Sequence, residues 1–549
     1  MHITLRGRSA RTTITAATIT LVAAAAVAPA TADARPATAG CENRNLRTVQ
    51  QLTDCVDAAD AYEHLEAFQA IADHNGGTRA SGTPGYDASV DYVAGLLTDA
   101  GFEVERQQFT YEVFTEEHAS LTIDGATPDS DLMEYSGSGT VTAGTIVPVD
   151  TALDDPGAST SGCESSDFDG VDLNGDADVV LLQRGACSFF AKASNAEAAG
   201  AEAVLVFNQG NGEDRSGLFL GTLGGSGVTI PAFSLDFPTG AALVADPSED
   251  VDLTVQARTE ETQTENVVAD LPGRNTDNVV MAGAHLDSVQ EGPGIQDNGS
   301  GSAALLAVAL ELGQNRKYTP TNTLRFAWWG AEESGLIGSN EYVFNPDFGL
   351  TQEEYEALAL YLNFDMIASP NFVYGVYDAD ESTYDAADFG VSVPEGSIAL
   401  EDLFEAYYTA NDVPYDDSAF SGRSDYSAFI QVGIPSSGLF TGAEVVKTEE
   451  QAAIWGGDAG EQFDPCYHLA CDDLANVSVE ALDVNVDAIA DAVFRLAAST
   501  EAVNGVAGDR VPGPRQDRID GPQGTFTEGG GGGLAPDHHG HDHGPYDAA

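Results

Sequence analysis

The chain has 549 residues, with 22 Lys and Arg against 88 Asp and Glu for a net charge of -66. That length is ample for a sizeable core and for more than one domain. Nucleic acid is excluded as an expected partner, because phosphate binding needs a basic surface.

The N-terminus carries Arg6, Arg8 and Arg11, then a mostly apolar run from Thr12 to Ala28, then the small residues Ala30, Thr31 and Ala32. This pattern predicts a secretory signal peptide over residues 1–32, cut after Ala32. The competing reading is an anchoring helix. The run is short for a bilayer core, however, and no later stretch reaches the roughly 18 apolar residues required. A secreted, monomeric protein with no membrane anchor is therefore expected. The cysteines Cys41, Cys55, Cys163, Cys187, Cys466 and Cys471 are even in number and show no CxxC spacing. In an oxidising compartment they are expected to pair in sequence order as disulfides.

Residues 41–135 are expected to open the main domain. Val90, Val93, Ala94 and Leu97 follow helical spacing, and Gly101 stands where a helix C-terminus favours glycine. A strand should follow. Residues 136–262 form a different block, in which RGACSFFAKASNAEAAGAEAVLVFNQG (184–210) passes from a turn through a helix into the apolar strand Ala203 to Phe207. With Arg184, Cys187, Phe189, Lys192, Asn195 and Gly200 in place, it resembles the protease-associated domain, an insertion in several peptidases. Residues 263–502 alternate strand-like and helical runs, as a sheet wrapped by helices should. The runs Val279 to Ala282, Thr323 to Trp329 and Ala359 to Phe364 are buried-strand candidates, and a polar motif follows each. Open α/β sheets gather ligands at such strand ends. A last helix places Leu482, Val486, Ile489, Val493 and Leu496 on one face. Residues 503–549 read as a disordered tail rich in Gly, Pro and His, including His538, His539, His541 and His543. A solvated low-complexity end accounts for those histidines more simply than zinc scavenging.

The motifs are GAHLDS (283–288), GIQDNGSGSAALL (294–306), WWGAEESGLIGS (328–339), LNFDM (362–366) and FDPCYHLACDD (463–473). They supply imidazoles and carboxylates, the ligand mixture of a hydrolytic zinc site with an open position for water. No HExxH segment is present, which removes the commonest one-zinc peptidase helix. Each motif also has a plainer explanation. Asp297 could cap the helix that follows it, and Glu332 with Glu333 could be a solvated strand end.

Taken together, in this order, the motifs are similar to those of the secreted zinc aminopeptidase family that contains bacterial leucyl aminopeptidases and aminopeptidase Y. The resemblance implies a zinc exopeptidase fold, a mixed and mainly parallel α/β sheet flanked by helices, with the protease-associated domain inserted. It implies two Zn2+: His285 and Asp365 on one, Glu333 and His468 on the other, and Asp297 bridging both. Asp287 would support His285. Glu332 would be the general base, since adjacent side chains on a strand diverge and the two acids should have different tasks. Tyr467 would stabilise the oxyanion. Arg423 in FSGRSDYSAF (420–429) matches a residue near the substrate backbone, while Met366 and Phe440 match an apolar pocket suited to leucine-like N-terminal residues. Arg423 could instead pair with Asp425, and Met366 and Phe440 could be core. Some relatives bind Ca2+, for which Asp483 and Asp487 share a helix face, although ordinary solvated helix carboxylates are the plainer reading.

The expected substrates are peptides or proteins with a free N-terminus. A carboxypeptidase or dipeptidase of the same superfamily is the nearest alternative, but it should show a basic pocket for the C-terminal carboxylate. A one-zinc glutaminyl cyclase fits less well with the insertion present. A non-catalytic binding module would be expected to have lost ligands, and none is missing.

Overall fold

The structure, a computed structural model, describes residues 41–512 except 176, 213 and 214. The signal-peptide expectation for residues 1–32 and the histidines of the tail lie outside the described residues. The strands are β1 (Glu103–Ile123), β2 (Ser130–Leu132), β3 (Gly139–Pro148), β4 (Asp178–Gln183), β5 (Ala203–Phe207), β6 (Ala232–Leu235) and β7 (Val251–Leu271). They continue with β8 (Asn275–His285), β9 (Asn322–Trp329), β10 (Leu358–Phe364), β11 (Gly375–Tyr377), β12 (Asp416–Ser418) and β13 (Ser436–Phe440). The hydrogen-bonded order is β12-β11-β13-β10-β8-β9-β7-β3-β4-β5-β6-β2, with β1 pairing β7.

The strands β9, β8, β10 and β13 are mutually parallel, so their C-terminal ends share one edge. β10 is buried throughout and β8 is buried from Asn278 onward. That suits strands covered on both faces, which need continuous apolar runs rather than alternation. One face is covered by the helices Ala58–His74, Pro84–Ala100, Gly299–Gln314 and Val479–Ala498, whose apolar residues form one cluster with the sheet. Gly101 ends the second of these helices at φ 95°, the left-handed conformation that glycine adopts without Cβ strain. The helix Gly299–Gln314 starts at Asn298, whose side chain accepts from Gly301 N–H at 2.9 Å. Asp297 is therefore not the cap, and its carboxylate is left for the site.

The protease-associated domain is built on β3, β4, β5 and β6, which pair in parallel, with the helix Phe189–Ala199 packed against them. It joins the main domain through β1 and β7, two 21-residue strands paired antiparallel along their length. The expected boundary between residues 262 and 263 falls inside β7, which pairs with β3 at one end and with β9 of the main domain at the other. The residues just after 502 are fastened to the domain by Asp509, whose N–H donates to the carbonyl of Ala498 at 2.9 Å and whose carboxylate pairs with Arg274. The disulfides are Cys41–Cys55, Cys163–Cys187 and Cys466–Cys471. No described helix is long and apolar enough to cross a membrane.

Candidate metal centre

The shared edge of the parallel strands delivers the motifs to one cleft. His285 is the last residue of β8, Asp365 follows β10, and Phe440 ends β13. Glu332 and Glu333 do not stand on the strand end, as expected; they occupy the turn beyond β9, after Ala331 at φ 54°. The turn separates them: Glu332 Oε2 lies 3.8 Å from His285 Nε2, and Glu333 Oε2 lies 3.0 Å from His468 Nε2.

Two triads result. His285 Nε2 is 3.3 Å from Asp297 Oδ1 and 3.3 Å from Asp365 Oδ1. His468 Nε2 is 3.2 Å from Asp297 Oδ2 and 3.0 Å from Glu333 Oε2. Asp297 belongs to both, one oxygen in each. Ligands about 2.0 Å from a tetrahedral zinc lie about 3.3 Å from one another, so both triads have the spacing of a zinc shell. Glu333 Oε1 and Asp365 Oδ1 are buried with no hydrogen-bond partner. Acceptors left bare in this way fit a bound cation.

The electrostatics point the same way. Burial would lower the basicity of His285, but Glu332 and Asp365 outweigh it and hold the imidazole well above its usual value. Burial pushes Asp297 up, and His285 and His468 override it, holding the carboxyl below the usual range. Burial raises Glu332 well above the ordinary carboxylate value, and His285 only partly opposes this.

Several groups position these side chains. His285 Nδ1 faces the backbone carbonyl of Asp287 at 3.2 Å, with the Asp287 carboxylate farther off at 3.7 Å. That carboxylate also accepts the N–H of Glu332 at 3.2 Å. Ser424 donates to Asp365 Oδ2 at 2.6 Å. Buried Arg79 donates to the carbonyls of Leu286, Pro293 and Gly294, tying the His285 motif to the Asp297 motif. Neither Arg79 nor Ser424 carries a spacing signal in the sequence.

Tyr467 stacks on His468 with ring centroids 3.8 Å apart. Met366, Phe440, Arg423 and Tyr467 all line the cleft beside the two triads. Arg423 pairs with Glu444 at 2.8 Å rather than with Asp425, and its Nη2 lies 3.4 Å from the Tyr467 hydroxyl.

The site is thus that of a metal-dependent hydrolase at the C-terminal edge of a parallel sheet. The peptidase family M28 model matches residues 266–493, and the PA domain model matches residues 141–243. An aminopeptidase of Pseudomonas aeruginosa is 45% identical over 462 residues, covering 82% of this chain and 83% of that protein. Leucine aminopeptidase 2 of Trichophyton tonsurans is 37% identical over 457 residues, covering 82% and 86%. Among solved structures, the aminopeptidase from Aneurinibacillus sp. strain AM-1 superposes with a TM-score of 0.65 at 26% identity, covering 87% of this chain and all of that one. The chain belongs to peptidase family M28, with a PA domain inserted, and its class is zinc-dependent aminopeptidase.

Proposed function

We propose that the protein is a secreted, monomeric two-zinc aminopeptidase that prefers bulky apolar, leucine-like N-terminal residues. The observation that carries this reading is Asp297, whose two oxygens face His285 and His468 in separate triads. His285 and Asp365 would hold one zinc, Glu333 and His468 the other, with Asp297 shared. When bound, the pair would polarise the scissile carbonyl and make water acidic enough to attack it.

The protein's own groups do the rest. Glu332 is buried, its carboxyl is raised in basicity, and it ligates neither triad. It would take the proton of the attacking water and hand it to the departing amine. Burial keeps the Tyr467 phenol protonated against the pull of Arg423, so its hydrogen would be free to bond the oxyanion. Carboxylates around the cleft suit the free ammonium, and Met366 and Phe440 would seat an apolar side chain. The name of the Trichophyton relative supports a leucine preference. The three disulfides and the N-terminal sequence support secretion. Asp483 and Asp487 lie on the helix Val479–Ala498, with Asp483 Oδ1 accepting Ala58 N–H at 3.4 Å, and a calcium ion there completes the cofactor reading.

The test uses leucine p-nitroanilide and its N-acetylated twin on zinc-loaded protein, each repeated with Glu332→Gln. Cleavage of the free amine alone is expected, with kcat reduced on the order of 10²–10⁴-fold in the variant and two zinc ions retained per chain. Cleavage of the acetylated twin, or an active variant, would overturn the reading.

A further inference from the structure

A second group of carboxylates lies behind the wall of the cleft. β11 and β12 run side by side in parallel, and Tyr377 and Ser418 at their ends line the cleft. Side chains alternate along a strand, so Asp417 faces away from Ser418, and Asp378 follows Tyr377 into the next turn. The helix Ser397–Ala410 contributes Glu401 and Glu405, one turn apart on the same face. Asp380 completes the group. Ligand-type oxygens of Asp378, Asp380 and Glu401 lie within 4.8 Å of one another, as do those of Glu401, Glu405 and Asp417.

Four of the five are almost sealed from solvent: Asp378 is 1%, Glu401 2%, Glu405 1% and Asp417 0% exposed. The chain fixes one oxygen of several of them. Glu401 Oε2 accepts the N–H groups of Ala379 and Asp380 at 3.0 and 2.9 Å. Asp417 Oδ2 accepts the hydroxyls of Ser382 and Thr383. Asp378 is held through both oxygens, Oδ1 by the N–H of Ser382 at 2.9 Å and Oδ2 by those of Thr383 and Tyr384 at 2.9 and 2.7 Å. The remaining oxygens tell more. Glu401 Oε1, Glu405 Oε1 and Asp417 Oδ1 are buried with no hydrogen-bond partner.

Three such atoms within one cluster of carboxylates are costly unless a proton or a cation satisfies them. Burial, followed by Asp380, Glu405, Asp378 and Asp417, pushes Glu401 up to about 10. The charges acting on it most strongly are thus all carboxylates. Burial likewise raises Glu405 to about 8 and Asp417 to about 7. The donors are all oxygen, with no imidazole or thiolate, which selects a hard cation over zinc. Carboxylates from three separate segments suit the six to eight flexible oxygen ligands of calcium better than the small octahedral shell of magnesium. Asp378, Asp380 and Ser382 also repeat the alternate spacing that opens a calcium-binding loop.

We propose that Asp378, Asp380, Glu401, Glu405 and Asp417 bind a calcium ion that ties β11 and β12 to the helix Ser397–Ala410, behind the cleft wall formed by Tyr377 and Ser418. The site is separate from the zinc centre and from Asp483 and Asp487. It binds whether or not the peptidase reading holds.

The experiment is equilibrium dialysis of full-length, zinc-loaded protein against radioactive 45CaCl2 in calcium-stripped buffer, with thermal unfolding followed in parallel. Wild type, Glu401→Gln and Asp483→Asn/Asp487→Asn are compared. Glu401→Gln is expected to lose one equivalent of calcium, or to bind it at least about tenfold more weakly, and to lose most of the calcium-dependent rise in Tm. The Asp483→Asn/Asp487→Asn variant should keep that equivalent. Glutamine is a neutral match in size for a carboxyl that burial keeps protonated when calcium is absent, so Glu401→Gln should melt close to calcium-free wild type; if it fails to fold, Asp417→Asn decides by the same measurement. Wild type taking up no calcium at millimolar CaCl2, as expected if protons alone satisfy the cluster, would overturn the proposal. So would full retention of calcium by the folded variant.

Discussion

Asp472 accepts the backbone N–H of Asp297 at 3.0 Å through one carboxylate oxygen, and its other oxygen takes the N–H of Gln296 at 2.9 Å. The residue just after the Cys466–Cys471 loop thereby holds the backbone of the acid shared by both triads, and His468 and Asp297 are set from one anchor. Asp472→Ala leaves two buried N–H groups unpaired, at about 1–3 kcal/mol each. Zinc affinity should fall by about 10–100-fold, as when other supporting groups of metal ligands are removed. Chelator competition and thermal unfolding check the two effects; unchanged zinc affinity would mean that Asp472 only stabilises the fold.

The Cys466–Cys471 bridge closes a loop with a sequence separation of 5, so its entropic stabilisation is small, about 2 kcal/mol. Inside that loop His468 is held at φ 56° with Tyr467 stacked on it. The bridge therefore acts chiefly by preorganising two site residues. Replacing both cysteines with serine should lower kcat by a larger factor than the change in stability accounts for. Paired urea melts and steady-state kinetics decide, and equal losses would make the bridge merely structural.

Part of the site was legible because it lies at or just beyond a strand end, whereas Asp297, Tyr467 and His468 came from the resemblance of their motifs. His285, Glu333 and Asp365 each follow a buried apolar run closely, and a parallel sheet must bring such ends together. Residues that act through backbone carbonyls or from distant segments gave no such sign. Arg79 reaches Leu286, Pro293 and Gly294 across more than 200 positions, and nothing local distinguishes it from a surface arginine. The same holds for Glu444 opposite Arg423, and for Asp378 and Glu401, which come together only because β11 lies against the helix Ser397–Ala410. The domain limit at residue 262 was illegible for a different reason. β7 runs unbroken from its pairing with β3 to its pairing with β9, so no turn or linker marks the crossing.

His64 supplies a pH dependence remote from the metals. It is buried against Tyr92, whose hydroxyl lies 2.8 Å from its Nδ1, and desolvation lowers its pKa to about 4. The unfolded chain would take up this proton near pH 6.5. Between those values the unfolded state binds more protons, so stability falls as pH drops from about 6.5 to about 4, by at most about 3 kcal/mol. His64→Gln keeps an acceptor for Tyr92 and removes the titration. Its stability should vary less than that of wild type over this window in urea melts at fixed zinc. Parallel curves would show that His64 stays charged when folded.

Arg423 links substrate cleft and mechanism through two contacts, Glu444 at 2.8 Å and the Tyr467 hydroxyl at 3.4 Å. Burial disfavours its charge, while Tyr467 and Glu444 restore it and hold its pKa above the usual value. A fork of donors can serve both partners at once, whereas a lysine ammonium lacks that planar geometry. Arg423→Lys should therefore lower kcat/KM by about tenfold, equivalent to about 1.4 kcal/mol. Glu444→Gln should act through the same arginine. The double variant should then lose less than the sum, with a coupling of about 0.5–3 kcal/mol in a double-mutant cycle. Additive losses would mean that Arg423 meets the substrate independently of Glu444, as a backbone-binding arginine would, and that Tyr467 is oriented by its stacking on His468 alone.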